Sequence, residues 1–296
     1  MQKQPVFSVR EEMQLLPFLL EKYPGKGRNK VKSLLTRGQV MVGNRVVTRH
    51  DHLLGAGDKV TILQTGSVKQ RELMAGIKIV YEDEFLLVVD KPPGLLSMAT
   101  DEEKERTAYR ILNEYVQGHN GGARIFIVHR LDRDTSGLMM FAKTAAVKNQ
   151  LQDNWKDIIL ERSYMALVEG EVKEKQGTIK TWLKESSTKT MYVSRPGEGV
   201  IAITHYVVVE QTPEYSLLAV QLETGRKNQI RVHMQSIGHS VVGDKRYGSK
   251  RNPLERLGLH AQVLAFKHPI SGETLRFETK IPKRFKSLFP VNKPPV

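Results

Sequence analysis

Residues 124–144, RIFIVHRLDRDTSGLMMFAKT, place two strand-like apolar runs on either side of a polar loop. Similar runs, bounded by short polar turns, recur between residues 77 and 279 and are typical of β-strands. They read IKIVYE, FLLVVDK, RSYMALVEG, AITHYVVVE, YSLLAVQLETG, HAQVLAFKH and TLRFET. Helical patterns in this part of the chain are fewer and lie chiefly near 104–117, near 144–158 and over 228–237. Many strands joined by short turns, with few helices, predict an α+β fold built on a largely antiparallel mixed sheet.

The N-terminal segment, 1–70, has a pattern of its own. Helices are predicted over 11–24 and over 30–38, where Val31, Leu34 and Leu35 share one face. Two apolar runs separated by Gly-Asn then indicate a hairpin, and GAGDKVTIL enters another strand. The polar connector QTGSVKQRELMAG follows. We therefore expect a small α+β domain over 1–70 and a larger domain over 71–296.

The charge balance indicates a polyanionic partner. The chain has 46 Lys and Arg against 32 Asp and Glu, a net charge of +14. Nucleic acid, an anionic membrane surface and heparin all fit such a charge, and so does a generally basic, solvated surface. Within the segment 1–70, twelve basic residues face five acidic ones, and no acid lies between Lys22 and Arg37. The positive field is thus concentrated around the second predicted helix.

The sequence contains no cysteine, which excludes disulfides, thiolate metal sites and cysteine nucleophiles. It also has no apolar run long enough to span a bilayer and no signal-like start. These observations predict a cytoplasmic protein without a membrane partner.

The loop HRLDRDTSG carries two candidate carboxylates. Asp132 lies between Arg130 and Arg133, and positive neighbours favour its ionised form, which suits a nucleophile or an electrostatic partner. Asp134 begins Asp-Thr-Ser-Gly, which is typical of a capping or Asx-type turn in which the side chain of Asp134 or Thr135 accepts local backbone N–H groups. The loop of an aspartic protease is the competing interpretation, but that chemistry needs a second such loop. The pattern alone does not rank the two aspartates.

The segment ETGRKNQIRVHMQSIGHSVVGD, residues 223–244, follows an apolar strand and predicts a helix over 228–237. Arg226, Lys227 and Arg231 lie at the start of that helix, where backbone N–H groups favour anions. A basic, solvated helix start is the alternative.

Two further features have a structural and a functional interpretation. Lys91 lies in DKPPGLLS, a rigid loop of the kind that is often only structural. Tyr164 lies in ERSYMALVEG, where it is either a core aromatic or a platform on which a flat base stacks.

Taken in order, four of these segments resemble the motifs of RluA-type pseudouridine synthases. They are VYEDEFLLVVDKPPGLLS, FIVHRLDRDTSGLMMFAKT, ERSYMALVEG and LETGRKNQIRVHMQSIGHSVVGDKRYG. The segment 1–65 resembles, more weakly, an S4-like RNA-binding domain, on SLLTRGQVMVGNRVV and GDKVTI. Asp90 and Asn228 depart from the usual Asn and His of the family, and these departures bear on subfamily and substrate.

The resemblance implies a role for individual residues. Asp132 would be the catalytic aspartate, Arg130 would enter the space left by a flipped base, and Tyr164 would stack on the target uracil. Arg231 would pair with Asp132, with Arg226 as the second candidate. The basic residues expected to contact RNA are Lys26, Arg28, Lys30, Lys32 and Arg37.

The expected enzyme converts uridine to pseudouridine in structured RNA, with ribosomal RNA ahead of transfer RNA. It would need neither a cofactor nor a metal and would act as a monomer. Two other function classes stay open: a non-catalytic RNA-binding or ribosome-assembly factor, and a glycosidase-like hydrolase that releases free uracil.

Overall fold

The computed structural model describes residues 5–25, 27–36, 40–43, 45–47, 49–62, 71–72, 74–101, 103–119 and 123–290. The strands are β1 (Val6–Ser8), β2 (Met13–Gln14), β3 (Val40–Val42), β4 (Arg45–Val46), β5 (Leu53–Leu54), β6 (Lys59–Ile62), β7 (Arg71–Glu72), β8 (Lys78–Glu82), β9 (Leu86–Lys91), β10 (Phe126–Ile127), β11 (Ser136–Ala142), β12 (Ile159–Glu169), β13 (Gln176–Glu185), β14 (Met191–Ser194), β15 (Val200–Gln211), β16 (Tyr215–Leu222), β17 (Leu259–Lys267) and β18 (Thr274–Glu278). The helices are α1 (Leu15–Lys22), α2 (Arg28–Thr36), α3 (Ala108–His119), α4 (Ala145–Asp153), α5 (Trp155–Ile158), α6 (Gln229–Ser236) and α7 (Lys283–Lys286), with 3₁₀ turns at Met74–Gly76 and Lys245–Tyr247.

Twelve of the described strands form one large sheet. Its order is β14-β13-β15-β16-β12-β17-β11-β9-β8-β7, with β10 on β11 and β18 on β17. All of its pairings are antiparallel except that of β11 with β17. The predicted α+β fold with a largely antiparallel mixed sheet is therefore confirmed.

Strand β11 is buried along its whole length because both of its faces are covered. Met139 and Phe141 pack with Leu112 of α3 on one face. Leu138 and Met140 pack with residues of α4 and α5 on the other. A strand covered on both faces appears in the sequence as a continuous apolar run, which is why LMMFA is recognisable.

The parallel contact of β11 with β17 depends on Gly137. Its φ is +112°, and a Cβ built on it would lie 2.1 Å from the carbonyl oxygen of Ala261. A side chain fits neither the backbone conformation nor the space. The glycine of HRLDRDTSG thus allows the close approach of the two strands at this position.

The predicted strand RIFIVHR is much shorter than the pattern indicates. Only Phe126 and Ile127 pair with β11. Beyond them, the imidazole Nε2 of His129 accepts the backbone N–H of Met140 at 3.0 Å. A side chain therefore replaces the backbone ladder here, and the chain is free to turn into the polar loop.

The sequence pattern does not predict the hairpin of β13 and β14. Ile179 and Leu183 are buried, but Thr181 lies between them and bonds the ring of His233 at 2.9 Å through its hydroxyl. Because a polar residue interrupts the inward face, the apolar alternation that marks a strand is lost.

The N-terminal residues form a separate core. Its buried members all lie between Val9 and Ile62. Most come from α1, α2 and a small sheet of order β1-β6-β3-β4, and Leu54 comes from β5, which pairs with β2. Helix α1 begins at Leu15, later than predicted, because Met13–Gln14 pairs with β5 as a short strand. The predicted helix end at Gly38 and the hairpin residue Asn44 lie outside the described residues.

The predicted domain boundary near residue 70 falls within 63–70, which lies outside the described residues, so the division stays a prediction. In the part of the chain that the structure describes, no helix is long and apolar enough to cross a lipid bilayer.

Candidate active site

The loop that carries Asp132 is held by the end of β9 and by the segment that follows this strand. The hydroxyl of Ser97 donates to the carbonyl oxygen of Leu131 at 2.7 Å and accepts the Leu131 N–H at 3.1 Å. The carbonyl oxygen of Arg133 accepts a bond from Lys91 Nζ at 3.0 Å. The residues immediately before and after Asp132 are thus fixed.

Lys91 is a buried structural anchor. Its ammonium also donates to the carbonyl oxygens of Pro92 and Leu95, at 2.9 and 2.8 Å. Burial lowers the pKa of Lys91 to about 7, although the negative charge of Asp134 works in the opposite direction. The loop DKPPGLLS therefore acts through its lysine, which joins it to the loop of Asp132.

Two side chains at the start of α6 bond the carboxylate of Asp132. Asn228 Nδ2 donates to its Oδ2 at 2.6 Å, and an Arg231 terminal nitrogen donates to the same oxygen at 3.1 Å. The Asp132 side chain remains 27% exposed. A carboxylate held this way is oriented and still accessible to a substrate.

Arg231 is itself held by a second carboxylate. Asp244, which is buried, accepts bonds from its Nε at 2.6 Å and from its other terminal nitrogen at 2.8 Å. The guanidinium also lies 4.8 Å from the ring centre of Tyr247. Burial alone would lower the pKa of Arg231, but the bonds and charge of Asp244 and the charge of Asp132 outweigh it, so the pKa is raised. Arg231 therefore presents a permanent charge to Asp132.

Tyr164 lies on β12 and packs against two buried clusters, one that contains Leu112 and Leu131 and another that contains Ile230 and Met234. Burial raises the pKa of its phenol; Arg162 works to lower it, and the charge of Asp132 raises it further. The phenol of Tyr164 is thus neutral, and it lies close enough to Asp132 for the charge of that carboxylate to affect its pKa.

The two remaining predicted arginines occupy different places. Arg130 is exposed, and its guanidinium lies 3.8 Å from the sulfur of Met98. Arg226 donates through Nε to the carbonyl oxygen of Ile201 at 3.0 Å. Of the two candidates for pairing with Asp132, Arg231, the first, makes the bond, whereas the guanidinium of Arg226 bonds the backbone of Ile201.

The cap expected for Asp134 is not formed. Residues 133 and 134 do lie in a turn, as predicted, and Asp134 is exposed. Within the described part of the chain, no hydrogen bond reaches its carboxylate. Its charge instead favours the protonated forms of Lys91 and Arg256.

Three of the basic residues predicted to contact RNA are described. Arg28 and Lys30 are exposed on α2, and Lys32 is half-buried. They lie away from the inward face of that helix, where Val31 and Leu35 are buried. Lys26 and Arg37 lie outside the described residues.

The sequence pattern gives no role to Asn228, Asp244 or Tyr247, although all three surround the Asp132–Arg231 pair. The one sequence feature that could have indicated them is their position in the fourth family motif, LETGRKNQIRVHMQSIGHSVVGDKRYG, in which Asn228 departs from the family pattern.

Residues 85–236 match a family model described as RNA pseudouridylate synthase, and this segment contains Asp132, Tyr164, Asn228 and Arg231. The chain is 38% identical over 228 residues to the ribosomal large subunit pseudouridine synthase D of Zymomonas mobilis, covering 72% of each chain. It is 34% identical over 273 residues to the uncharacterized RNA pseudouridine synthase YlyB of Bacillus subtilis, covering 88% of each.

A solved structure agrees. Human RNA pseudouridylate synthase domain containing 1 superposes with a TM-score of 0.55 at 27% identity, covering 69% of this chain and 83% of that one. The family match, the two relatives and the shared fold confirm the family resemblance, whereas the S4-like nature of the first domain stays a prediction. The chain therefore belongs to the RNA pseudouridylate synthase family and is a pseudouridine synthase.

Proposed function

We propose that the enzyme isomerises specific uridines in structured RNA, with Asp132 as the catalytic residue and large-subunit ribosomal RNA as the leading substrate. Transfer RNA is the second candidate. The substrate assignment is supported by relatives named for the large ribosomal subunit. The observation that carries the catalytic assignment is the carboxylate of Asp132, partly exposed and bonded through Oδ2 to Asn228 and Arg231.

The reaction needs little from the protein besides placement and one carboxylate. The N1–C1′ bond of uridine breaks, a C5–C1′ bond forms, a proton leaves C5 and N1 gains one, so the composition is unchanged. Positive charge develops at C1′ as the glycosidic bond breaks. An ionised Asp132 can stabilise that charge, attack C1′ or remove the 2′ proton.

The base must leave its stack and be retained while it rotates. Extruding a base costs about a few kcal/mol. Arg130, exposed near Met98, would enter the vacated space. The neutral ring of Tyr164 would support the freed uracil by stacking.

The segment 1–70 would act as an S4-like RNA-binding domain, with the catalytic domain over 71–296. The basic side chains of α2 would contact phosphates, which makes affinity depend on salt. We expect a cytoplasmic monomer that needs no cofactor.

Chemical mapping of pseudouridine across total RNA from parent and deletion strains tests the proposal. We expect one or more sites in large-subunit ribosomal RNA to disappear and to return with the gene. An unchanged map with defective ribosome assembly would favour a non-catalytic assembly factor. Sites lost only from transfer RNA would replace the substrate assignment, and release of free uracil by the purified protein would indicate a hydrolase.

A further inference from the structure

We propose that Asn228 is a positioning residue that holds the carboxylate of Asp132 so that one oxygen, Oδ1, faces the reacting sugar. This inference rests on the proposed catalytic role of Asp132 and extends it to a residue that the family motif leaves without a role.

The hydrogen bonds to Asp132 are one-sided. Asn228 Nδ2 and Arg231 both donate to Oδ2, at 2.6 and 3.1 Å. None of the residues described by the structure donates to Oδ1. Since the side chain is 27% exposed, Oδ1 keeps its lone pairs for the substrate while Oδ2 is anchored.

The amide of Asn228 is oriented by a chain of bonds. The hydroxyl of Tyr247 accepts the backbone N–H of Met191 at 3.1 Å and donates to Asn228 Oδ1 at 3.2 Å. The amide oxygen is thereby directed to Tyr247, and its NH₂ group is directed to Asp132. The reverse orientation would place an amide oxygen against a carboxylate oxygen, which is repulsive.

The backbone of Asn228 makes this placement possible. Its φ is 54°, in the left-handed region, and it forms the N-cap of α6. Asparagine tolerates this conformation better than most residues, and glycine tolerates it best. Because of this turn, Asn228 and Arg231 reach the same oxygen from one helix start. Replacement by glycine therefore removes the amide without straining the backbone.

Replacement by aspartate tests the electrostatics. The charged and titratable groups around Asp132 come from three elements. Arg231 of α6 bonds Asp132 and is itself bonded by Asp244. The charge of Asp132 also acts on Lys91 of β9 and on Tyr164 of β12. Asn228→Asp would add a second carboxylate at hydrogen-bond distance. Two carboxylates so close resist joint ionisation, so the pair would bind a proton at a higher pH.

The experiment measures single-turnover tritium release from a large-subunit ribosomal RNA transcript made with [5-³H]uridine. We expect Asn228→Gly to lower the rate by about tenfold to a hundredfold, the loss of one charge-assisted bond, with the RNA dissociation constant unchanged. Tyr247→Phe keeps the ring beneath Arg231 but loses the orienting hydroxyl, and it should give a smaller loss. Asn228→Asp should move the acid limb of the pH–rate profile upward by about one pH unit or more.

Glu255→Gly is the matched control, because Glu255 is also left-handed, with a φ of 55°, and exposed. It should keep the wild-type rate. An Asn228→Gly rate within about twofold of this control, or an Asn228→Asp profile that coincides with wild type, would overturn the positioning role. A wild-type protein that releases no tritium from this transcript or from a labelled transfer RNA transcript would instead overturn the proposed function, on which the positioning role rests.

Discussion

The Nζ atom of Lys91 lies 3.0 Å from the carbonyl oxygen of Arg133 and joins the end of β9 to the loop that carries Asp132. The two residues are 42 positions apart in the chain. A buried ammonium thus connects the first family motif to the second. Its loss should affect both stability and the placement of the carboxylate.

We expect Lys91→Met to lower the free energy of unfolding by about 1–3 kcal/mol, because three carbonyl oxygens, one of them buried, lose their donor. It should also lower the rate of isomerisation, since Arg133 no longer has an anchor. Urea denaturation and tritium release measure the two effects. Lys180→Met, at an exposed strand position, is the control, and equal behaviour of the two variants would contradict the anchoring role.

Gly137→Ala should be strongly destabilising, by about 3 kcal/mol or more. The added methyl would lie 2.1 Å from the carbonyl oxygen of Ala261, at a φ of +112°. Gly197→Ala separates the backbone strain from the steric clash, because the φ of Gly197 is +84° but nothing lies within 4 Å of the added atom. That control should cost only about 1–2 kcal/mol. Similar losses in thermal or urea unfolding would show that close packing is not what requires glycine at 137.

Stability should fall as the pH is lowered from about 6.5 toward 4. Burial lowers the pKa of His129 to about 3 and the pKa values of His233 and His260 to about 4. Below the ordinary histidine pKa of about 6.5, the unfolded chain therefore binds protons that the folded chain does not. Each such histidine should remove roughly 1.4 kcal/mol per pH unit.

His129→Gln tests this dependence. The amide oxygen of the new glutamine can accept the Met140 N–H in place of the imidazole, but the glutamine side chain does not titrate. Urea unfolding between pH 4 and 6.5 should therefore show a slope reduced by about one proton. An unchanged slope would mean that His129 does not stay neutral in the folded protein.

The basic side chains of α2 should contribute to RNA affinity through counterion release. Combined replacement of Arg28, Lys30 and Lys32 by alanine should reduce the slope of log affinity against log salt by about two to three. Filter binding across a salt series measures it. Replacement of the exposed Lys156, Lys173 and Lys286 is the control for total charge. If both triple variants lost the same slope, α2 would have no special role in RNA binding.

The elements that the sequence predicts well are those whose burial produces a recognisable apolar pattern in the local sequence. β9 and β11 are covered on both faces, so they appear as continuous apolar runs. Helix α6 shows its inward residues, Ile230 and Met234, at helical spacing. The pattern fails at β13, where Thr181 faces the core through a hydrogen bond to His233.

The site was only partly predictable for a related reason. The resemblance pointed to Asp132 and Arg231, and the structure brings these residues together. Asn228 lies 96 positions from Asp132, and its contact depends on a single left-handed backbone angle. No local pattern in the sequence records that contact, so Asn228 appeared there only as a departure.

The most direct test of the account compares Asp132→Asn with Asp134→Asn in the tritium-release assay on large-subunit ribosomal RNA. Both changes remove one negative charge from the same loop and keep the side-chain shape. We predict that Asp132→Asn loses activity by at least about a thousandfold while RNA binding and folding persist. Asp134→Asn, whose carboxylate is exposed and accepts no hydrogen bond from the described residues, should keep most of the activity. An Asp132→Asn enzyme that isomerises uridine at the wild-type rate would contradict the assignment of catalysis to Asp132.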